Sequence, residues 1–159
     1  MSKLIKGLLA IAALTFSLNL YALADKDIWL DNFEDAKALA KKQGLPILMD
    51  FTGSDWCGWC IKLDKEVFSQ KEFKEYAQKS FILFKADFPE EKPISAKVRK
   101  QNEKLSDKYN VEGFPTIILT DADGKEIART GYQEGGAKSY VEHLKKLLEK
   151  SKADAPASK

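Results

Sequence analysis

The run Met49-Asp50-Phe51-Thr52-Gly53-Ser54-Asp55-Trp56-Cys57-Gly58-Trp59-Cys60 contains the only two cysteines in a chain of 159 residues. Two residues separate them, so both sulfurs fall within the first turn of one helix, close enough to bond and to be reduced again. The spacing reads as a redox site. The competing readings are a structural disulfide, half of a zinc site, or haem attachment.

Working outward, residues 45–51 form an almost wholly apolar run, the pattern of a central strand buried on both faces. Asp50 interrupts it. Burying a charged carboxylate costs several kcal/mol, so Asp50 either protonates, serves a nearby group, or points to solvent at a strand end. Beyond the cysteines, Ile61, Leu63 and Val67 continue a helical pattern. Ser69-Gln70-Lys71-Glu72 reads as a capping box opening another helix, with Phe68 and Phe73 as its staple. Phe73, Tyr76 and Ala77 should point inward, and residues 81–86 should form the next strand.

Upstream, Ile28-Trp29-Leu30 reads as a short edge strand. Asp31 is placed to cap a helix bearing Phe33, Ala36, Leu39 and Ala40 on one face, and Gly44 and Pro46 end it. Downstream, residues 88–93 make a polar, proline-bounded connector. Residues 95–109 then read as a charged surface helix with a thin stripe of Val98, Leu105 and Tyr109. Ile117 to Leu119 is a strand that Asp121-Ala122-Asp123-Gly124 turns into a hairpin partner at 126–130. Gly135-Gly136 opens a last helix carrying Tyr140, Val141, Leu144, Leu147 and Leu148, with His143 on its flank.

The two ends read differently. Lys3 and Lys6, the apolar stretch from Gly7 to Leu20, and Ala22-Leu23-Ala24 have the order of a secretory signal peptide spanning residues 1–24, cleaved near Ala24. Export places the protein in the periplasm or outside the cell. Without Lys3 and Lys6, basic and acidic side chains balance at 24 each. That removes the basic-surface argument for nucleic acid or anionic membranes as partners. Residues 25–150 suffice for one domain with a core, and residues 151–159 read as a flexible tail.

The element order implies an α/β fold: a central mixed β-sheet flanked by helices on both faces. With Asp50-Phe51 before Trp56-Cys57-Gly58-Trp59-Cys60, and Tyr109-Asn110-Val111-Glu112-Gly113-Phe114-Pro115-Thr116 later, the chain resembles secreted bacterial members of the thioredoxin superfamily. The resemblance covers residues 27–150. It implies that Pro115 is a cis proline facing the disulfide, that Phe114 offers its backbone to an extended substrate, and that Lys85 is a strand lysine near the buried acid. Trp56, Gly58, Trp59, Phe114 and Pro115 would together contact substrate. Two departures stand out. The strand acid lies one residue farther from the first cysteine than is usual in thioredoxins, so the loop of residues 52–55 must absorb an insertion. Trp59 stands where thioredoxin has proline and the oxidising and isomerising relatives have histidine.

The chemistry follows from the residues. Cys57 at a helix N-terminus is the nucleophile, because free N–H groups and the helix dipole favour its thiolate. Cys60 resolves the mixed disulfide, and Asp50 is the candidate proton acceptor. Trp59 supplies no positive partner to stabilise the reduced form, which points to a reductase or isomerase rather than an oxidase.

Zinc needs about four ligands, and beyond the two cysteines there is one distant histidine, His143. Haem attachment needs a histidine where Ile61 stands. A hydrolase would need His143 to reach Cys57. A structural bridge closing so small a loop would constrain the unfolded chain little. The expected protein is therefore a thiol-disulfide oxidoreductase acting on disulfides or thiols of exported proteins and recharged by a membrane or soluble thiol electron donor. It would need no metal, and no cofactor beyond the Cys57–Cys60 disulfide. The second class is a thioredoxin-fold peptide-binding module or chaperone with little redox turnover.

Overall fold

A computed structural model describes residues 28–153. The expected signal peptide, residues 25–27 and the tail beyond Ala153 lie outside the described residues. In chain order the elements are β1 (Trp29–Leu30), α1 (Phe33–Gln43), β2 (Ile47–Thr52), α2 (Gly58–Leu63) running into a π-helical turn (Asp64–Phe68), α3 (Lys71–Ser80), β3 (Ile82–Asp87), α4 (Ala96–Lys108), β4 (Thr116–Thr120), β5 (Glu126–Thr130) and α5 (Gly136–Ala153). The five strands form one sheet in the order β1-β3-β2-β4-β5. β1 and β2 run parallel to β3, whereas β4 is antiparallel to both β2 and β5. This is the expected mixed sheet, with β2 at its centre.

All six residues of β2 are buried. Because side chains alternate across a strand, Ile47, Met49 and Phe51 enter one core with α1 and α4, while Leu48 enters the other with α3, α5 and the π-turn. β3 divides the same way: Ile82, Phe84 and Ala86 face the first core, and Leu83 the second. Each fully buried aliphatic or aromatic side chain contributes about 1.5–3 kcal/mol. The same alternation places Asp50 and Thr52 on the Leu48 face and Lys85 and Asp87 on the Leu83 face. The second layer is thus apolar toward the start of β2 and β3 and polar at their C-terminal ends, the ends next to the cysteines.

Several local expectations are corrected. Asn32, not Asp31, caps α1, its side chain accepting from Glu34 N–H and Asp35 N–H. The capping box at Ser69 does not form. α3 begins after Gln70 without a side-chain cap, and the Ser69 hydroxyl donates instead to Asp64 at 2.9 Å. That hydroxyl is drawn back because the helix leaving Cys60 widens into the π-turn and brings Asp64 beneath it. The staple aromatics do meet, Phe68 and Phe73 lying 4.8 Å apart between centroids. Ile61 does not join the core but is 46% exposed, while Leu63 and Val67 are buried. α4 is less superficial than its composition suggests: Leu105, Tyr109 and Asn102 are buried, and Asn102 donates to the Asp87 carbonyl at 2.9 Å, tying the helix to the end of β3.

Candidate active site

Cys57 and Cys60 are joined as a disulfide with their Cα atoms 5.2 Å apart. The loop before them is a tight turn in which the Gly53 carbonyl accepts from Trp56 N–H at 3.3 Å and Cys57 N–H at 2.9 Å. Cys57 is itself the cap of α2, its Sγ accepting from Cys60 N–H at 3.3 Å. Exposure hardly separates the sulfur-bearing residues, at 8% for Cys57 and 4% for Cys60. What distinguishes them is the helix-end N–H aimed at Cys57, which favours a thiolate there.

Beneath the helix lies a cavity of about 340 Å³ lined by Asp50, Thr52, Ser54, Cys60, Asp64, Lys85 and Asp87, among others. Asp50 does not point to solvent: it is 4% exposed, and among the described residues its Oδ1 has no hydrogen-bond partner. Burial pushes its carboxyl from 3.8 up to about 7; Lys85 opposes that rise, and Asp64 and Asp87 add to it. Lys85 is the register partner of Asp50 on β3, and its ammonium stands over the Trp29 ring, 5.1 Å from the centroid. The Asp50 carboxyl and Cys60 line the same cavity.

Above the helix the surface is aromatic. Trp56, Trp59 and Ile61, at 46%, 57% and 46%, are the exposed large apolar side chains among the described residues. Trp56 donates its indole N–H to the Phe88 carbonyl at 2.7 Å and meets Phe114 edge-on at 6.1 Å, while Phe88 stacks on Phe114 at 5.0 Å. The Phe114–Pro115 peptide is cis, as the resemblance implied. Both residues line an open groove of about 540 Å³ with Glu112 and Arg129. Gly58 carries no side chain, and a Cβ there would meet nothing within 4 Å. On the other side Trp59 lies 5.2 Å from Tyr132, and the Lys62 ammonium stands 5.1 Å from the first ring and 4.9 Å from the second. The Tyr132 hydroxyl donates to Glu66 at 2.6 Å.

Sequence reasoning did not single out Tyr132, Lys62, or the acids that brace the loop. Ser54 donates to Asp87 through its N–H at 3.0 Å and its hydroxyl at 2.6 Å. The Asp55 carboxylate accepts from the N–H groups of Glu90, Glu91 and Lys92, and these bonds, Glu90 first, hold its carboxyl below the usual range. These residues come from segments about 35 positions apart, so no short spacing in the chain signals them. His143 lies away from the sulfurs, with its Nε2 2.8 Å from Thr130 Oγ1. Among the described residues no group of three or more His, Cys, Asp or Glu side chains is placed to hold a metal ion.

A mixed sheet, a cysteine pair at the start of the helix after its central strand and a cis proline just before β4 define a thiol-disulfide oxidoreductase of the thioredoxin fold. Residues 33–148 match the thioredoxin-like domain family, and the chain belongs to it. It is 35% identical over 126 residues to the disulfide bond reductase DsbH of Chlamydia pneumoniae, covering 79% of this chain and 76% of that protein. It is 32% identical to the thioredoxin-related protein DsbJ of the same organism, covering 80% of this chain but only 38% of DsbJ. A similar identity, 32%, links it to the thiol:disulfide interchange protein DsbD of Cronobacter sakazakii, of which it spans 18%. Among solved structures, a DsbH oxidoreductase superposes with a TM-score of 0.73 at 36% identity, covering 76% of this chain and 83% of that one. A thioredoxin from Thermus thermophilus shares the fold at a TM-score of 0.55 and 19% identity.

Proposed function

We propose that this protein reduces disulfides in exported polypeptides, with Cys57 as nucleophile, Cys60 as resolving thiol and Asp50 as proton acceptor. The observation that carries the direction is the environment of position 59. Trp59 packs at a tilt against Tyr132, 5.2 Å between centroids, and brings Cys57 no cationic partner, so the reduced form lacks the stabilisation that makes a strong oxidant. The similarity to a protein named as a disulfide bond reductase supports the same direction.

In the reaction the Cys57 thiolate attacks one sulfur of a substrate disulfide. That S–S bond breaks, one substrate sulfur leaves as a thiolate, and a mixed disulfide forms. Cys60 passes its proton to Asp50 and attacks Cys57 Sγ. The second substrate thiolate departs and Cys57–Cys60 becomes the disulfide seen here, two electrons having moved to the substrate. A thiol donor, membrane-bound or soluble, restores the dithiol by the reverse exchange. Trp56, Gly58, Trp59, Phe114 and Pro115 form the face on which an extended chain would lie. The N-terminal signal-like segment supports export to the periplasm or beyond. Among the described residues no helix is long and apolar enough to cross a membrane.

The exposed aromatic face also suits a peptide-binding module with little turnover. An insulin-reduction assay separates the two. Turnover in the wild type, its loss in Cys57→Ser and capture of a mixed disulfide by Cys60→Ser support the reductase. Peptide binding that survives Cys57→Ser with no turnover in the wild type supports the module. A measured potential as high as about −120 mV, that of a dedicated oxidase, would overturn the proposed direction.

A further inference from the structure

We propose that Asp55, two residues before the nucleophile, is a positioning residue that builds the polypeptide-contact surface by fastening the segment after β3 onto the active-site loop. The inference rests on the reading that polypeptide disulfides are the substrate.

One carboxylate accepts three successive backbone N–H groups: Oδ1 from Glu90 at 3.0 Å, and Oδ2 from Glu91 at 2.9 Å and Lys92 at 3.0 Å. Residues 88–93 carry two prolines and no helix or strand; the Phe88 N–H donates to the Thr52 carbonyl at 2.8 Å, and beyond it no ladder fixes the path of the segment. Asp55 supplies the missing acceptors. What the segment then presents lies on the substrate side: its Phe88 accepts the Trp56 indole N–H through its carbonyl and stacks its ring on Phe114. With residues 90–92 freed, Phe88 is held by its N–H alone, and both the carbonyl that orients Trp56 and the ring that backs Phe114 are loosened. The sulfurs would keep their geometry, because Cys57 is held by the Gly53 carbonyl and by the Cys60 N–H. Asp55 thus acts on contact with the substrate chain and not on the exchange chemistry.

The test compares wild type, Asp55→Ala and Asp55→Asn with two oxidised substrates, insulin and the small aromatic disulfide dithiobis(nitrobenzoate). Hydrogen exchange is followed at the Glu90, Glu91 and Lys92 amides and at the Trp56 indole. Asp55→Ala should raise KM for insulin by roughly tenfold, well within what a small misplacement of contact groups costs. It should leave kcat/KM for the small disulfide and the Cys57–Cys60 potential unchanged, and should expose all four N–H groups to faster exchange. Asp55→Asn, which keeps one acceptor oxygen, should fall between the two and covers the case in which the alanine variant does not fold. Unchanged KM for insulin, unchanged exchange, or an equal loss with both substrates in the folded variant would overturn the proposal. Absence of insulin reduction by the wild type would instead overturn the substrate reading on which it rests.

Discussion

Asp50 and Lys85 are register partners on adjacent parallel strands, and both line the cavity that reaches Cys60. The carboxyl sits in a layer whose neighbouring positions are Leu48 and Leu83, so its charge is opposed by burial and only partly relieved by the lysine.

That balance makes a pH prediction with a definite sign. The folded carboxyl titrates near 7, above its ordinary 3.8, so between these values the folded state binds more protons than the unfolded one and stability falls as pH rises. The favourable contribution is complete below about 4 and lost through about 7. Asp50→Asn should therefore stabilise the oxidised protein above pH 7 by a few kcal/mol, on the order of 4 at most, and the gain should vanish in acid. Urea unfolding across pH 4–9 checks it.

The same variant should slow resolution of the mixed disulfide by roughly 100-fold, the low end of what a positioned base supplies. In the wild type that step should quicken as pH rises through about 7. Rapid-quench trapping of the mixed disulfide measures both.

Trp59→His should make the pair more oxidising. An imidazolium beside Cys57 stabilises the thiolate and hence the dithiol form, and an upward shift of about 30 mV corresponds to ~1.4 kcal/mol. Equilibration against glutathione redox buffers reads the shift; no shift would mean that position 59 does not set the direction.

Gly53→Ala tests the seat of Trp56. A Cβ at Gly53 would fall inside the indole of Trp56, so the ring must move and the hydrogen bond to the Phe88 carbonyl is lost. The expected cost is about 1 kcal/mol of stability, with a higher KM for insulin and an unchanged potential. Chemical denaturation, Trp fluorescence and insulin kinetics follow the three effects.

Tyr132 supports Trp59 through its ring and reaches Glu66 through its hydroxyl. Tyr132→Phe should leave insulin reduction close to wild type, whereas Tyr132→Ala should raise KM several-fold and alter Trp fluorescence. Equal effects from both variants would place the importance in the hydroxyl and not in the ring.

The chain by itself determined the exchange pair and the frame that holds it. The two cysteines at C-x-x-C spacing, the apolar run of β2 with one acid in it, and Gly113-Phe114-Pro115-Thr116 are local patterns, because strand alternation and helix-end chemistry act over a few residues. Local pattern erred where the deciding partner was elsewhere: Ser69 looked like a cap until the π-turn brought Asp64 to it, and Ile61 looked apolar enough for the core but faces solvent. Only the tertiary structure decided that Asp50 is buried and shares a cavity with Cys60, since that depends on how β3 and the helix after the cysteines are placed around the end of β2. It alone joined Asp55 to residues 90–92 and Trp59 to Tyr132. Those contacts link side chains tens of positions apart, whose meeting is set by sheet order and loop path, which no spacing in the sequence records.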